Sequence, residues 1–156
     1  MFETLYSIPL FKELEPAQID LLKPLFEQFS CARETVIFEQ GDPASYLYLL
    51  IKGEVVIRYK PYDGPPITLT RLRAGDVFGW SAVIGSPNYT SSIVSETQLE
   101  CVRIKNIDLR TLIREHPDTG AIFIDRLAKV VSARWKNAHA QVQSLLNSDR
   151  ESRLGA

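Results

Sequence analysis

The stretch TVIFEQGDPASYLYLLIKGEVVIRYK, residues 35–60, decides the fold because its hydrophobic period is two. A period of two is typical of β-strands, in which successive side chains point to opposite faces. Gly-Asp-Pro at residues 41–43 and Lys-Gly at residues 52–53 are turn signals. The stretch therefore predicts a short strand, a turn, and then two strands joined by a tight connection.

The same pattern continues downstream. ITLTRLRAGD, residues 67–76, predicts a strand that ends in a second Gly-Asp turn, and residues 90–104 predict two further strands. We expect Leu69 and Val56 to line the interior of this β-structure. Short strands at roughly 8–12-residue spacing favour a closed or two-layered antiparallel arrangement. The predicted fold class is α+β, with an antiparallel jelly-roll barrel at about residues 33–105.

Helices are predicted on both sides of the barrel. EPAQIDLLKPLFEQF, residues 15–29, has apolar residues at helical spacing, and Pro24 is expected to kink or end this helix. Asn106 is a candidate N-cap for a helix that follows the last strand. A long helix should then begin after Pro117. We assign residues 106–146 to closing and dimerisation helices of a domain covering residues 1–146, and predict a disordered tail at residues 147–156.

The long helix carries an apolar seam in which steps of four and three residues alternate. The seam consists of Ile124, Ala128, Val131, Trp135, Ala138, Val142 and Leu145. This 3.5-residue repeat is typical of a coiled coil, and a second copy of the chain is the simplest partner. The alternative is that the seam packs on another domain of a larger complex. A second apolar face, formed by Phe123, Leu127 and Val130, can pack on the barrel.

Composition excludes several function classes. The chain has 156 residues with a net charge of −1 and no basic stripe, so we expect no direct nucleic-acid binding. The N-terminus lacks a signal peptide and no apolar run reaches the ~20 residues of a membrane span, which predicts a cytoplasmic protein without a membrane segment. Cys31 and Cys101 are expected to be buried thiols, and the two histidines have no local metal-ligating partners. No catalytic spacing is present, so an enzyme is not expected.

Two motifs, IFEQGDPASYLYLLIKGEVVIRY at residues 37–59 and LRAGDVFG at residues 72–79, lie in the order typical of one family. Together with the flanking helices they resemble the cyclic-nucleotide-binding domain, the sensor half of bacterial regulators similar to the catabolite activator protein. The resemblance covers about residues 5–146. It implies a jelly-roll barrel with a phosphate-binding cassette after Gly79, and a long helix that forms a dimer.

The cassette departs from the family pattern. In the family, a glutamate after the glycine binds the ribose 2′-hydroxyl and an arginine ten residues later neutralises the cyclic phosphate. An ungapped count places Trp80 at the glutamate position and Thr90 at the arginine position. Losing two charge-assisted hydrogen bonds at about 1.5–3 kcal/mol each would weaken binding by roughly 10²–10⁴. The candidate ligand residues of the cassette are Gly79, Trp80, Ser81, Ala82, Thr90, Ser91 and Ser92.

The long helix offers two further candidates by the same resemblance. Arg134 and Trp135 fall on the turn that faces the ligand in the family, so they are predicted to receive a small anionic or aromatic ligand. Three alternative interpretations, in which these residues do not bind a ligand, stay open. Arg134 forms a surface ion pair, Trp135 fills the dimer seam, or Trp80 plugs the barrel mouth and no ligand binds. No cofactor is assigned with certainty.

The predicted function is that of a stand-alone ligand-sensing regulatory domain that signals through a dimer helix and does not bind cyclic AMP in the usual way. One alternative is a ligand-free dimerisation or docking module. Another is a true cyclic nucleotide-binding protein with a non-standard pocket. The predicted partners are a second copy of the chain and a downstream protein. The chain ends ten residues past Leu146, too soon for a DNA-binding module.

Overall fold

The computed structural model describes residues 9–11, 14–61 and 64–132. In these residues the strands are β1 (Phe26–Cys31), β2 (Val36–Phe38), β3 (Tyr46–Lys52), β4 (Val55–Tyr59), β5 (Ile67–Leu72), β6 (Val77–Phe78), β7 (Ser92–Ser95) and β8 (Leu99–Lys105). The α-helices are α1 (Pro16–Leu22), α2 (Ser81–Ile84), α3 (Asn106–Glu115) and α4 (residues 117–132, the last residues described). Short 3₁₀ turns lie at Pro9–Phe11 and Lys23–Leu25.

The strands form two four-stranded antiparallel sheets. The first sheet has the order β1-β8-β3-β6 and the second has the order β2-β7-β4-β5. Two packed antiparallel sheets with strands that cross between them form a jelly roll. The predicted fold class, an antiparallel jelly-roll barrel accompanied by helices, is confirmed.

The barrel begins earlier than the sequence suggested. We predicted a helix through residue 29 and a barrel from about residue 33, but Phe26–Cys31 is a strand that pairs with β8. Pro24 has no N–H to continue the helix, so the chain becomes extended at Phe26. Phe26 and Phe29 are three residues apart, which imitates helical spacing. In the strand they face opposite sides, with Phe26 toward the helices and Phe29 toward the barrel interior.

Two apolar clusters cover the two faces of the first sheet. The inner cluster lies between the sheets and is rich in aromatic rings, among them Phe38, Tyr48, Phe78 and Tyr89. The outer cluster lies between the first sheet and the helices. Its members include Phe11, Phe26, Leu22, Phe123 and Leu127, and the last two are fully buried. The prediction that one face of the long helix packs on the β-core is therefore confirmed.

The phase of β5 differs from the prediction. Leu69 is 52% exposed because it is the unpaired residue of a bulge between the Ile57–Thr70 and Arg58–Thr68 pairs. Leu69 therefore does not line the interior, and that prediction was wrong. Val56 is buried, but it lies on the face of β4 opposite to Val55, which belongs to the inner cluster. Val56 is therefore buried without facing the space between the two sheets.

The two Gly-Asp turns have the same construction. The Asp42 carboxylate accepts a hydrogen bond from the Glu39 N–H at 2.9 Å, and the Asp76 carboxylate accepts one from the Arg73 N–H at 2.9 Å. In each turn the glycine has a positive φ, which only glycine adopts without steric cost. These turns are local in sequence, and the prediction of both is confirmed.

The two cysteines lie closer together than their sequence separation indicates. Cys31 on β1 pairs with Leu99 on β8, and Cys101 on β8 pairs with Phe29 on β1, so the thiols are diagonal neighbours. Both are free thiols. Burial, with the nearby Cys31 adding to it, raises the pKa of Cys101 to about 12. Cys101 is therefore a neutral apolar group of the inner cluster at physiological pH.

Candidate ligand cassette

Gly79 follows the last residue of β6 and turns the chain into the cassette. Its φ is +82°, and a Cβ at this position would lie 2.7 Å from the backbone oxygen of Tyr46. A side chain larger than hydrogen would therefore collide with β3. The helix α2 follows, and Gly85 closes it in the left-handed conformation while its N–H donates to the Ser81 carbonyl. Both glycines are required by the backbone and not by a ligand.

Trp80 lies on the helix side of the first sheet and not inside the barrel. Its half-buried indole packs against the outer cluster. Trp80 thus does not plug the barrel mouth, which was one of the interpretations that the sequence left open. Of the next two residues, Ser81 is buried and Ala82 belongs to the inner cluster.

Tyr89, and not Thr90, is the cassette residue that points into the barrel. Thr90 is exposed, whereas Tyr89 is only 5% exposed and its ring stacks on Phe38 with centroids 3.6 Å apart. The ungapped count assumed a fixed loop length before β7. The structure instead begins β7 at Ser92, and both Tyr89, in the loop before it, and Ile93, within it, belong to the inner cluster. The assignment of Thr90 to the inner position is therefore corrected.

The hydroxyl of Tyr89 completes the hydrogen bonding of β3. It donates to the Tyr46 carbonyl at 2.6 Å and accepts from the Tyr46 N–H at 3.0 Å. β6 ends at Phe78, so Tyr46 has no strand partner on this side, and the hydroxyl takes the place of one. Burial raises the pKa of Tyr89 to about 12, despite its hydrogen bond to Tyr46. The side chain is therefore neutral and offers no charge to an anion.

The loop before β7 is held against the first Gly-Asp turn. The Tyr89 N–H donates to the Asp42 carbonyl at 2.8 Å, and the Gly41 N–H donates to the Tyr89 carbonyl at 2.9 Å. The Ala44 N–H donates to the Pro87 carbonyl at 3.0 Å, and the Asn88 amide donates to the Gly41 carbonyl at 2.9 Å. Four hydrogen bonds thus fix the position at which Tyr89 enters the barrel.

The remaining polar residues of the cassette lie at its edge. Ser91 and Ser92 are half-buried, and the Ser92 hydroxyl accepts a hydrogen bond from the Gln40 N–H at 2.8 Å. Ser92 is thus already paired with the chain. The structure brings Gly79, Ala82 and Tyr89 together at the inner face, and leaves Thr90 outside.

Aromatic rings fill the space between the sheets next to the cassette. Tyr48 and Phe78 stack with ring centroids 4.8 Å apart, and Phe38 lies 5.9 Å from Tyr48 and 6.2 Å from Phe78. With Tyr89 on Phe38, four rings form one continuous stack of contacts. Interiors of proteins are packed as densely as organic crystals, and these rings occupy the interior volume themselves.

Arg103 is a cation at the inner face that the sequence reasoning missed. Its guanidinium carbon lies 4.0 Å from the ring centroid of Tyr46 and 4.9 Å from that of Phe29. Its Nε donates a hydrogen bond to the Glu27 carboxylate at 3.2 Å. Burial by itself would lower the pKa of Arg103, but its interactions with Tyr48, Tyr46 and Glu27 outweigh it and raise that pKa. The signal was available: Leu99, Cys101 and Arg103 alternate along β8.

Residues 28–116 match the cyclic nucleotide-binding domain family. The chain belongs to this family. It is 26% identical to the CRP-like cAMP-activated global transcriptional regulator of Mycobacterium tuberculosis over 154 residues, which are 99% of this chain and 67% of that protein. Its structure is similar to a cyclic nucleotide-binding domain from Methylobacillus flagellatus KT (TM-score 0.80, 21% identity, 92% of this chain and 80% of that one).

A further structural relative is the catabolite activator protein of Thermus thermophilus. The TM-score is 0.70 at 28% identity, and the alignment covers 88% of this chain and 62% of that chain. The chain thus spans about two thirds of the length of these regulators. Membership of the cyclic nucleotide-binding domain family, expected from the two glycine motifs, is confirmed.

The predicted ligand contacts of the long helix, Arg134 and Trp135, lie outside the described residues. So do Ala138, Val142 and Leu145 of the predicted dimer seam. The described part of the seam is mixed: Ala128 is exposed, Ile124 packs partly on the outer cluster, and Val131 is buried. The first turns of α4 are thus taken up by the domain itself.

The described part of the surface includes clefts outside the barrel. One, of about 150 Å³, lies between α1 and α3, and another, of about 360 Å³, lies on the outer face of the second sheet. In the described ranges, no cluster of three His, Cys, Asp or Glu side chains could hold a metal ion. None of the described helices is long and apolar enough to cross a membrane.

Proposed function

We propose that this domain is a regulatory module that does not respond to cyclic AMP or cyclic GMP through its cassette. Its output would run through dimerisation and surface contacts, without catalytic activity. The observation that supports the proposal is Tyr89. Its neutral side chain occupies the inner position of the cassette, where the family resemblance implies a cation. The hydroxyl is hydrogen-bonded to the backbone of Tyr46, and the ring stacks on Phe38.

The electrostatics of the cassette support the same conclusion. A cyclic phosphate carries a negative charge that must be paired when it is buried. Residues 79–92 contain no charged side chain, and Arg103 is already paired with Glu27 and lies over the Tyr46 ring. Burying the phosphate next to Tyr89 would therefore cost free energy that the cassette does not return.

A ligand that enters the barrel must also displace Tyr89. The two hydrogen bonds of its hydroxyl contribute about 1 kcal/mol each, and burial of an aromatic ring contributes roughly 1.5–3 kcal/mol. A ligand would have to offset about 3.5–5 kcal/mol before it gained affinity. At 1.4 kcal/mol per decade, this lowers the apparent affinity by roughly 10²–10⁴, in addition to the missing charges.

A ligand-sensing domain is the second candidate function, and Arg103 favours it. A planar anionic ligand that replaced the Tyr89 ring would meet the rings of Phe38 and Tyr48, with Arg103 beside Tyr46 as the nearby cation. Such a ligand would need an aromatic body and a single negative charge. The rings already fill this space, which is why the ligand-free module is preferred.

The remaining expectations stay predictions. A homodimer is proposed on the seam of the long helix, most of which lies outside the described residues. We also propose that these 156 residues do not bind DNA directly, although the M. tuberculosis relative is named a transcriptional regulator; a gel-shift titration with duplex DNA tests this. A cytoplasmic location is proposed on the same resemblance.

The proposal is tested by thermal and calorimetric titration with cyclic AMP and cyclic GMP at 1 mM. A ligand at a hundred times its Kd adds about 2.7 kcal/mol of stability, which raises Tm by roughly 5–10 °C for a domain of this size. We expect no shift for either nucleotide. The variant Tyr89→Arg, which places the cation of the family pattern at the inner position, should gain measurable affinity. Saturable binding of either nucleotide to the unaltered chain below about 10 μM would refute the proposal.

A further inference from the structure

An exposed patch of apolar and basic side chains lies where α2 meets α3. Ile84 is 63% exposed and Ile107 is 68% exposed, the highest values for large apolar side chains in the described residues. The Arg110 side chain of α3 reaches Gly85, the residue after Ile84. A Cβ atom added to Gly85 would lie 3.8 Å from Nη2 of Arg110. Arg110 therefore links the end of α2 to α3. We call Ile84, Ile107, Arg110 and Arg114 the α2–α3 patch.

The α3 part of the patch is one continuous helix face. Ile107, Arg110 and Arg114 are spaced by three and four residues, so they lie side by side on the solvent side of the helix. The opposite side of α3 carries Leu109 and Leu112, which are buried in the outer cluster. The patch is thus fixed in place by a packed helix and is not a mobile edge.

The two arginines make the patch positive. Within the part of the chain that the structure describes, neither Arg110 nor Arg114 takes part in an ion pair. The acidic residues Asp108 and Glu115 lie on another side of α3, where they line the cleft beside Leu21. Two like charges one helical turn apart repel each other slightly, and a partner with negative charge relieves this.

We propose that the α2–α3 patch docks an acidic segment of a partner protein. Carboxylates of the segment would pair with Arg110 and Arg114, because the planar guanidinium binds a carboxylate through two parallel hydrogen bonds. An apolar side chain between them would cover Ile84 and Ile107. A nucleic acid could also pair with the arginines, but its phosphate backbone would leave both isoleucines exposed to water. The patch therefore fits an acidic and apolar protein segment better than a phosphate backbone.

The location of the patch gives it a role in regulation. α2 is the helix of the cassette, and its Ala82 belongs to the inner cluster of the barrel. A partner that holds Ile84 and Ile107 together holds the cassette against α3. Docking at the patch is thus a route by which the domain passes on its state, whatever the barrel contains. The inference goes beyond the proposed function and does not depend on the absence of nucleotide binding.

The test selects peptides from a displayed library of random 12-residue sequences on the full 156-residue chain. We expect the enriched peptides to carry at least two acidic residues and an apolar residue. Their affinity, measured by fluorescence polarisation in 0.15 M salt, should fall at least tenfold for the variant Arg110→Glu/Arg114→Glu. The matched control is Arg33→Glu/Arg58→Glu, which makes the same charge change at exposed arginines of the other cleft and should stay within twofold.

A second variant, Ile84→Ser/Ile107→Ser, tests the apolar half and should also lose at least tenfold in affinity. All variants alter exposed side chains, so their Tm should stay within about 2 °C of the parent, which confirms that they fold. The proposal is overturned if no peptide is enriched, or if enriched peptides bind the patch variants as tightly as the parent. It is also overturned if the patch variants change the oligomeric state in sedimentation, or abolish binding of a labelled DNA duplex. These outcomes would assign the patch to a second copy or to nucleic acid.

Discussion

Replacing Tyr89 by phenylalanine removes one oxygen and tests whether its hydroxyl holds the barrel closed. The ring and its stacking on Phe38 remain, but the Tyr46 N–H and carbonyl lose their hydrogen-bond partner. Each bond contributes about 1 kcal/mol, and buried groups left unpaired add to the loss. We therefore expect the free energy of unfolding to fall by about 2–3 kcal/mol. For a domain of about 150 residues this lowers Tm by roughly 4–12 °C.

The measurement is urea unfolding followed by circular dichroism and tryptophan fluorescence, with a thermal melt as a second readout. The matched control is Tyr59→Phe, since Tyr59 is 40% exposed on β4 and its substitution should change stability by less than about 0.5 kcal/mol. If Tyr89→Phe also falls within 0.5 kcal/mol of the parent, the hydroxyl does not support β3. A ligand entering the barrel would then not have to break stabilising hydrogen bonds of Tyr89.

Two further predictions concern the backbone and the buried thiol. Gly79→Ala should cost about 2 kcal/mol more than Gly75→Ala in urea unfolding, because both glycines have positive φ but only Gly79 would collide with the Tyr46 carbonyl; equal losses would contradict this. The raised pKa of Cys101 means that the unfolded thiol loses its proton near pH 9 while the folded thiol keeps it to about pH 12. The free energy of unfolding should therefore fall by about 1.4 kcal/mol per pH unit from pH 9 to pH 10, and more steeply above pH 10, where the unfolded state also ionises Tyr89, whose folded pKa is raised to about 12. The same titration of Cys101→Ala should begin its decline near pH 10, and an unchanged onset would rule out the thiol.

The features that the sequence predicted correctly are those encoded within a few residues. Asp42 and Asp76 each bond to the backbone three residues earlier, so each Gly-Asp turn is specified by its own four residues. The strands on either side follow from a period of two, and Phe123 and Leu127 of α4 follow from a period of about 3.6. These patterns can be recognised from a short segment without knowledge of the rest of the chain.

The features that the sequence did not predict depend on contacts between distant segments. Phe26 and Phe29 could belong to a helix or a strand, and pairing with β8 decides between them. The choice between Tyr89 and Thr90 depends on the length of the loop before β7, which an ungapped count cannot supply. Arg103 becomes an interior cation only because β1 and β3 bring Glu27 and Tyr46 to it. The residue types in the sequence indicate which side chains are aromatic or charged, but the strand register decides which of them face the barrel interior.

The same register explains how this barrel can be stable without a ligand. A barrel that keeps a pocket open gives up packing energy along the walls of the pocket, and a ligand restores it on binding. Here Tyr89 supplies the ring that fills the space beside Phe38, and its hydroxyl supplies the hydrogen bonds that β3 lacks where β6 ends. The free energy that a ligand would contribute in an open barrel is thus already contributed by the chain.

A ligand could shift the conformation of this domain only by the difference between its own contacts and those of Tyr89, and that difference is small unless the ligand also pairs with Arg103. Regulation through surfaces outside the barrel requires no such exchange.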